Sequence, residues 1–546
     1  MLLEWGQSTI ARGVRKGLWA ILLAQGALSV WAGEAPPDPG DTPEALRWST
    51  VMPLPENRYR TVDSWVVPPT ILVDWGAVGR IESADLGNWL DRMWSPVGRS
   101  WREAGVGEKP HLRFESGGPV GEGYSLSVTP SGVTVRGSGA AGRFYALVTL
   151  TQLLPPRART LDWVAVQGGR LEDKPAFAWR GLMLDSARHF QSVHTLESIL
   201  ELMALHKLNR FHWHLTDDQG WRLEVPGWPR LTEVGAWRTE ADGSLYGGFY
   251  SAQDVRRVVA FAAQRHITVV PEIDLPGHAS AALAAYPELS ATGRPRSVPL
   301  DWGVADGVLS LGRPAVRRFT ADVLATLVDL FPGPYIHWGG DEVYRTPWMQ
   351  NAESLAWMRS VKATTADQAL AAFWTDLASQ TLAASKIPIG WDDVTLMKAP
   401  QGALPKSTVV QWWDDPQRAL AALKEGHPII ASWKETTYLD YPEIDGDGDR
   451  AWWMPPLSAD TVATQPFWPT GTPASARPLV LGIEATLFTE RVTLGQWGRK
   501  LFPRLSLVAE LAWRGPTSET QGWAQRLNSH RQRLEAWGVG MREPLR

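Results

Sequence analysis

Cysteine is absent from this chain of 546 residues, which excludes disulfide bonds, thiolate metal sites and cysteine nucleophiles. The absence does not identify a cellular compartment. Blocks of basic residues are missing as well, because 54 Lys and Arg are balanced by 58 Asp and Glu to give a net charge of -4. This balance argues against a nucleic acid as partner.

Long apolar runs are confined to the N-terminus. Arg12, Arg15 and Lys16 precede an apolar stretch at residues 17–24, and small residues follow around 32–35. This order is typical of a secretory signal. We therefore expect residues 1–33 to direct export to the periplasm or the extracellular space, as a cleaved signal or a retained anchor. No later run is long and apolar enough to predict a transmembrane body.

Tryptophan is the residue that the chain has in excess, with 31 copies. Flat indole faces pack against the apolar faces of sugar rings, but they also fill hydrophobic cores. Both uses stay open, and we expect only a minority of these residues to line a ligand site.

Two domains are predicted after a proline-rich linker at residues 34–45. Between 46 and 172, short alternating strands and one helix at 140–154 predict a small α+β domain. In this domain Tyr124, Leu126 and Val128 alternate with polar residues and begin a hairpin. No residue there points to catalysis.

From 173 to 515 the pattern changes to short apolar strands that alternate with amphipathic helices. Strands are predicted at 181–185, 210–215, 267–273, 335–338, 387–391, 408–412, 429–433 and 480–483. Eight such units predict a (β/α)8 barrel of the TIM type, with a doubly wound open sheet as the alternative. Residues 516–546 are predicted to form a C-terminal helical extension.

Charged and aromatic residues follow nearly every predicted barrel strand. They include Asp185, Arg188, Asp217, Asp274, His278, Asp341, Glu342, Trp391, Trp412, Trp413, Tyr438, Asp440 and Glu490. Because functional residues of such barrels gather at the carboxyl ends of the strands, we expect a polar ring with stacking walls. This combination predicts a sugar-binding pocket.

The run HWGGDE at residues 337–342 is the most informative of these strand ends. Its two glycines allow a tight bend, and it places two carboxylates side by side. One of them is a candidate acid kept protonated near neutral pH. Neighbours in an extended chain point to opposite faces, so Asp341 and Glu342 are poorly placed to act as an acid and nucleophile that flank one carbon.

Four blocks of sequence resemble the signature blocks of family 20 glycoside hydrolases, the β-N-acetylhexosaminidases. The blocks lie at residues 179–190, 212–222, 271–278 and 337–342. The resemblance extends from about Trp179 to Trp513, and the preceding α+β domain is similar to the usual N-terminal domain of the family. It implies an exo-acting retaining enzyme that removes terminal β-linked N-acetylglucosamine or N-acetylgalactosamine from oligosaccharides or glycoconjugates, without metal or cofactor.

The same resemblance implies three catalytic roles. Glu342 is similar to the general acid/base that protonates the glycosidic oxygen. Asp341 is similar to the residue that orients the 2-acetamido group, whose carbonyl oxygen attacks C1 to give an oxazolinium intermediate. Tyr438 resembles the tyrosine that donates a hydrogen bond to that carbonyl oxygen.

Further residues are implied to bind the sugar or to support the acid. Arg188, Asp440 and Glu490 resemble residues that hold hydroxyl groups of the sugar. Trp391 and Trp412 resemble the walls around the acetamido methyl group. Asp217 and His278 resemble the polar supports behind the acid. Phe488 departs from the family, which usually has tryptophan there. The smaller ring keeps an aromatic face, so we expect activity with altered affinity or sugar preference.

Three alternatives stay open. His212 and His214 alternate on one strand and, with Asp217, Asp274 and His278, could form the metal site of an amidohydrolase. Residues 445–449 resemble a calcium loop but also fit a solvated turn. The chain could also be a carbohydrate-binding protein on a hydrolase scaffold whose chemistry has lapsed. The sequence leaves open the preferred hexosamine, the aglycone and the oligomeric state.

Overall fold

The computed structural model of the chain describes residues 48–76, 78–154, 164–395, 398–400, 402–444, 454–464, 466, 468–493, 495–515 and 522–540. The expected signal segment, the linker and the calcium-like run at 445–449 lie outside these residues. Within the described ranges, none of the helices combines the length and apolar character needed to cross a membrane.

The N-terminal part of the chain forms a mixed seven-stranded sheet. Its strands are β1 Asn57–Val66, β2 Thr70–Asp74, β3 Ser100–Glu103, β4 Leu112–Glu115, β5 Tyr124–Thr129, β6 Gly132–Arg136 and β7 Ala165–Asp173. They lie in the order β1-β7-β5-β6-β4-β2-β3. The predicted hairpin is the antiparallel pair β5–β6, in which Leu126 faces Val135. Two helices, α1 Arg80–Trp94 and α2 Ala140–Gln152, contact each other through Trp89 and Phe144, whose ring centroids are 4.9 Å apart.

The described residues of the next part of the chain form twelve strands. They are β8 Trp179–Asp185, β9 Arg210–His214, β10 Thr216–Asp217, β11 Gly220–Trp221, β12 Trp237–Thr239, β13 Leu245–Gly247, β14 Thr268–Glu272, β15 Tyr335–His337, β16 Ile387–Trp391, β17 Val409–Trp412, β18 Ile429–Ala431 and β19 Val480–Leu487. Eight of them close into a parallel barrel in the order β14-β15-β16-β17-β18-β19-β8-β9. The pairing of β19 with β8 closes the ring, which confirms the barrel and excludes the open sheet.

Helices connect these strands and cover the outside of the barrel. They are α3 Val193–Leu205, α4 Arg230–Glu233, α5 Ala252–Ala263, α6 Ser280–Ala285, α7 Pro314–Leu330, α8 Thr346–Gln350, α9 Ala352–Ser360, α10 Ala366–Ala383, α11 Pro416–Glu425, α12 Lys434–Thr437, α13 Ala459–Thr464, α14 Trp497–Leu501 and α15 Arg504–Arg514. The Ser251 hydroxyl caps α5, and Asp254 completes the predicted capping box. A last helix, α16 Trp523–Ala536, follows the barrel.

Buried ion pairs attach the sheet domain to the amino-terminal side of the barrel. Arg180, near the start of β8, lies 2.7 Å from Glu122, and Lys207, just before β9, lies 3.0 Å from Asp173. Both cationic side chains are fully buried. Because these contacts occupy the amino ends of the strands, the carboxyl ends stay available for a site.

Candidate active site

A cavity of about 340 Å³ opens at the carboxyl ends of the barrel strands. Residues from at least six of the strand ends line it. They are Arg188, His214, Asp217, Asp274, His278, Asp341, Glu342, Trp391, Trp413, Lys434, Glu435, Tyr438, Asp440, Tyr441, Met454, Phe488 and Glu490. The structure therefore brings together every site residue expected from the sequence except Trp412.

The floor of the cavity depends on the two glycines after β15. Gly339 and Gly340 have φ angles of +62° and +94°, where side chains are rarely accommodated. A Cβ on Gly339 would lie 1.8 Å from the Asp274 carboxylate. Asp274 Oδ1 accepts a hydrogen bond from the Gly340 amide at 2.9 Å. The glycines thus allow the turn to pack directly on Asp274.

Asp341 and Glu342 face the same cavity. Asp341 Oδ2 and Glu342 Oε2 each lie 3.8 Å from His278 Nε2. The alternation expected of an extended chain does not hold, because Glu342 has a φ of +50° and so belongs to the turn. The Asp341 side chain is 17% exposed and that of Glu342 is 42% exposed. Glu342 is therefore the carboxylate nearer the mouth.

The surroundings favour the protonated form of both carboxyls. Burial raises the pKa of Asp341 well above its ordinary value, and the charges of Asp274 and Glu342 add to the effect against the opposing influence of His278. Burial also raises the pKa of Glu342. A carboxyl that keeps its proton toward neutral pH can act as a general acid.

A line of buried groups supports the carboxylate pair from below. His278 Nδ1 lies 3.0 Å from Asp217 Oδ1, and Asp217 Oδ2 lies 2.8 Å from both His214 Nε2 and Arg188 Nη2. Burial lowers the pKa of His278, but the charges of Asp217 and Asp274 outweigh it and raise the pKa well above its ordinary value. Asp217 therefore holds His278 as a cation beside the carboxyls of Asp341 and Glu342.

The opposite wall carries Tyr438 and Asp440, which follow the short helix α12. Burial raises the pKa of the Tyr438 phenol well above its ordinary value, so the group stays a hydrogen-bond donor. Burial and the nearby Glu490 raise the pKa of Asp440 to about 8. Among the described residues, Asp440 Oδ1 and Asp341 Oδ1 are buried without a hydrogen-bond partner. Unsatisfied oxygens in a cavity favour a ligand that supplies polar hydrogens.

Arg188 and Phe488 form one side of the cavity. The Arg188 guanidinium lies 3.6 Å from Glu490 and 5.6 Å from the centre of the Phe488 ring. The Phe488 ring also contacts Tyr438 at 5.3 Å and Trp391 at 6.4 Å between centroids. Phe488 thus presents an aromatic face inside the cavity, in contact with three of its other walls.

The expected wall residue Trp412 is not part of the cavity, and its neighbour Trp413 lines it instead. Gln411 points into the barrel, where it donates to Glu484 at 2.8 Å, so Trp412 points outward and stacks on Trp433 at 5.5 Å. Trp413 follows the end of β17 and turns back toward the cavity, with its indole N–H donating to Asp393 at 2.9 Å. The structure thus places Trp413, and not the expected Trp412, on the wall of this cavity.

Sequence reasoning also missed other lining residues. Lys434, Glu435 and Tyr441 lie beside Tyr438 in the chain, so their nearness to it was an available signal. Met454 had no such signal, because no expected site residue lies beside it in the sequence. Asp274 was expected in the polar ring and as an alternative metal ligand, and the structure shows in addition that it supports the glycine turn.

His212 and His214 both face the barrel interior, as their alternation predicted. His212 Nδ1 lies 2.8 Å from Glu484, and His214 lies between Glu272 and Asp217. These carboxylate contacts account for the orientation of both rings by hydrogen bonding. The geometry therefore assigns the pair to the support of the site rather than requiring an amidohydrolase centre.

A barrel with paired carboxyls, aromatic walls and further charged groups at its strand ends is typical of glycoside hydrolases. The model of the "Glycosyl hydrolase family 20, catalytic domain" matches residues 177–516, and that of "Glycosyl hydrolase family 20, domain 2" matches residues 72–174. The chain belongs to glycosyl hydrolase family 20.

Two curated relatives extend the match. A beta-hexosaminidase of Porphyromonas gingivalis is 37% identical over 455 residues, which cover 81% of this chain and 58% of that protein. A beta-N-acetylhexosaminidase of Cellulomonas fimi is 35% identical over 446 residues, covering 81% of this chain and 83% of the relative.

Solved structures show the same architecture. The exo beta-N-acetylglucosaminidase of Vibrio harveyi, in complex with N-acetylglucosamine, superposes with a TM-score of 0.81 at 28% identity, covering 92% of this chain and 80% of that one. The Streptomyces plicatus N-acetyl-beta-hexosaminidase in complex with Thio-NAglucal has a TM-score of 0.79 at 31% identity, with 93% and 99% covered.

Proposed function

We propose that the protein is an exo-acting, retaining β-N-acetylhexosaminidase that uses the acetamido group of its substrate as the nucleophile. The observation that carries this proposal is the placement of Asp341 and Glu342, neighbours in sequence, on one side of a small cavity with His278 3.8 Å from each. Two adjacent carboxyls with divided duties suit this placement. The named activities of the family relatives support the same substrate class.

In the proposed reaction Glu342 gives its proton to the glycosidic oxygen as the bond from C1 to the aglycone breaks. The acetamido carbonyl oxygen forms the new bond to C1, which gives an oxazolinium ion and keeps the nucleophile within the substrate. Glu342 then takes a proton from the water that attacks C1. The second displacement restores the acetamide and returns the sugar with its original configuration.

Asp341 and Tyr438 act on the acetamido group in this scheme. Asp341 Oδ1, buried and without a partner among the described residues, accepts the N–H of the acetamido group. The positive charge that develops on the nitrogen lowers the pKa of Asp341 in the complex, so that its carboxylate form stabilises that charge. The Tyr438 phenol donates to the carbonyl oxygen and orients it toward C1. Trp391 and Trp413 enclose the methyl group.

The remaining groups select a single terminal sugar. Arg188, Asp440 and Glu490 offer hydrogen bonds to hydroxyl groups, and those from the Arg188 guanidinium are charged and therefore stronger than neutral ones. The cavity of about 340 Å³ lies at the small end of ligand sites. Its size supports an exo-acting enzyme that binds the non-reducing end of an oligosaccharide or glycoconjugate.

Three aryl glycosides test the proposal: p-nitrophenyl β-N-acetylglucosaminide, its galacto isomer and the plain β-glucoside. We expect turnover of one or both N-acetyl substrates and very little of the glucoside. A protein that binds N-acetylhexosamine but hydrolyses none of the three would be the lapsed carbohydrate-binding protein. The joint presence of Asp341, Glu342 and Tyr438 in one cavity favours the enzyme.

We further propose that the protein is exported, from the composition of residues 1–33. Cell fractionation followed by N-terminal sequencing of the mature protein tests this. A start near residue 34 would indicate a cleaved signal, and an intact N-terminus in the membrane fraction a retained anchor. Recovery of the intact chain only from the cytoplasm would contradict export.

A further inference from the structure

Glu272 is a fully buried carboxylate at the centre of the barrel, at the end of β14. Its side chain is 0% exposed. In the sheet register Glu272 pairs with His214 on β9 and with His337 on β15. It therefore lies in the layer of side chains directly beneath the cavity.

One oxygen of Glu272 faces the acid side of the site. Glu272 Oε2 is hydrogen-bonded to His214 Nδ1, and His214 Nε2 lies 2.8 Å from Asp217. Asp217 in turn contacts His278, whose other ring nitrogen is 3.8 Å from Glu342. A hydrogen-bonded line of alternating carboxylates and imidazoles thus runs from the barrel centre to His278, whose Nε2 faces the acid at 3.8 Å.

The other oxygen of Glu272 faces the acetamide side. Glu272 Oε1 accepts a hydrogen bond from the Trp391 indole N–H at 2.9 Å. Trp391 lines the cavity, and its orientation is fixed by this bond. A single carboxylate therefore contacts the supports of both halves of the site.

The groups that face Glu272 keep it ionised. His212 and His214 face it from β9, and His337 faces it from β15, while Glu484 of β19 reaches the same region through His212. Burial raises the pKa of Glu272, but the three imidazoles outweigh burial and lower the pKa well below its ordinary value. The anion can accept hydrogen bonds on both oxygens at once.

We propose that Glu272 is a positioning residue that couples the acid side of the site, through His214, to the acetamide wall, through Trp391. The inference rests on the proposed function, because it takes Glu342 as the acid and Trp391 as the wall. A glutamine at this position would keep only one acceptor oxygen. At least one of the two donors would then face an amide N–H, and one half of the site would shift.

The chain offers a matched control in Glu484. This carboxylate is also 0% exposed, contacts His212 and accepts an indole N–H, that of Trp179 at 2.8 Å. Among the residues that the structure describes, no hydrogen bond or ion pair joins Glu484 to His214 or to Trp391. Glu272→Gln and Glu484→Gln therefore remove the same charge from the same barrel, and only the first cuts the line to the site.

The experiment compares both variants on an N-acetylglucosaminide with a poor leaving group, on an activated aryl glycoside and with a thiazoline mimic of the oxazolinium. For Glu272→Gln we expect about a 10²-fold loss of kcat on the poor leaving group, at most about tenfold on the activated one, and about tenfold weaker thiazoline binding. For Glu484→Gln we expect all three within about threefold, with a comparable fall in Tm.

Two single variants separate the branches. His214→Gln should lower kcat on the poor leaving group as Glu272→Gln does and leave thiazoline affinity within about threefold. Trp391→Phe should weaken thiazoline binding and leave the dependence on the leaving group nearly unchanged. If Glu272→Gln does not fold, the double variant His214→Gln/Trp391→Phe decides, because coupling through Glu272 predicts effects on kcat/KM that are not additive.

The inference would be overturned if Glu272→Gln behaved like Glu484→Gln, or if it changed only the leaving-group dependence or only thiazoline binding. Additive effects in the double variant would overturn it as well. Wild-type protein that fails to prefer 2-acetamido substrates would instead overturn the proposed function. Failure of the inference is thus measured on the variants, and failure of the proposed function on the wild-type protein.

Discussion

Glu342 combines a raised pKa with a position near the cavity mouth, where the proposed reaction places the leaving group. We predict that Glu342→Gln lowers turnover by roughly 10²–10⁴-fold on substrates with poor leaving groups. The loss should be much smaller on an activated aryl glycoside, because its leaving group needs little protonation. Steady-state kinetics on the two substrates measure the difference. Equal losses on both would contradict the acid role.

Asp341 carries a different prediction, because its buried oxygen is assigned to the acetamido nitrogen. Asp341→Asn should weaken both turnover and thiazoline binding, since a neutral amide cannot stabilise positive charge developing on nitrogen. Inhibition constants for the thiazoline, compared with those of the parent sugar, measure the effect. Thiazoline affinity that is unchanged in the variant, together with efficient hydrolysis of plain β-glucosides, would show that an enzyme carboxylate is the nucleophile.

At the scale of single elements, the side-chain alternation at the end of β17 places Trp413 rather than Trp412 at the cavity. We predict that Trp413→Ala raises KM and weakens thiazoline binding by roughly tenfold or more, because it opens the wall of the cavity. Trp412→Ala should instead lower stability by about 3–5 kcal/mol, the usual cost of removing a buried aromatic ring, with KM nearly unchanged. Kinetics and urea unfolding of the two variants make the comparison. The reverse pattern would restore Trp412 as the wall.

The same strand shows what sequence patterns can and cannot predict. Apolar strands and capped helices repeat with regular spacing, so the eight barrel strands were found to within a few residues. Gln411, a polar residue with its side chain inside the barrel, breaks the rule that buried positions are apolar. The phase of β17 and the choice between Trp412 and Trp413 could therefore not be read from the apolar pattern, because the partner of the Gln411 side chain is Glu484, which is distant in sequence.

The role of Glu272 was hidden for a related reason. A carboxylate at a strand end signals a site, but its partners His214, His337 and Trp391 come from three other strands. Only the closed register of the barrel brings them to one level. Local patterns thus predicted the carboxyl pair and the aromatic ring of the site, whereas the network below them required the tertiary structure.

At the scale of the whole molecule, a buried histidine pair joins the final helix α16 to the barrel. His206 Nε2 and His530 Nε2 lie 2.8 Å apart, and Arg533 also approaches His530. Burial lowers the pKa of His206 from 6.5 to about 4 and that of His530 well below its ordinary value. Both rings are therefore neutral in the folded protein near pH 6.

The sign of the pH dependence follows from these shifts. Between pH 6.5 and about 4 the unfolded chain binds protons that the folded chain does not, so the free energy of unfolding falls as the pH falls through this window. We predict that the double variant His206→Gln/His530→Gln loses roughly 1–3 kcal/mol of this dependence, measured by urea unfolding at pH 5 and pH 7.5. His194→Gln, at an exposed position of α3, is the control. An unchanged difference in the double variant would contradict the prediction.

The size of the cavity also leads to a prediction for oligosaccharide substrates. Because the lining residues surround a space of about 340 Å³, only one terminal sugar should enter. Chitooligosaccharides should release monomers as the first products, as followed by chromatography of early time points. Early release of dimers or longer fragments would contradict the exo mode.

The close fit of Gly339 against Asp274, and of Gly340 against Trp374, has a consequence for directed evolution. A library that varies all residues around the cavity would lose nearly every clone that changes either glycine, because no side chain can be added without moving the floor. Sequence variation is better directed to the side of the cavity formed by Phe488, which can be exchanged for tryptophan. Selections for new sugar preference should therefore enrich changes at position 488 while both glycines return unchanged.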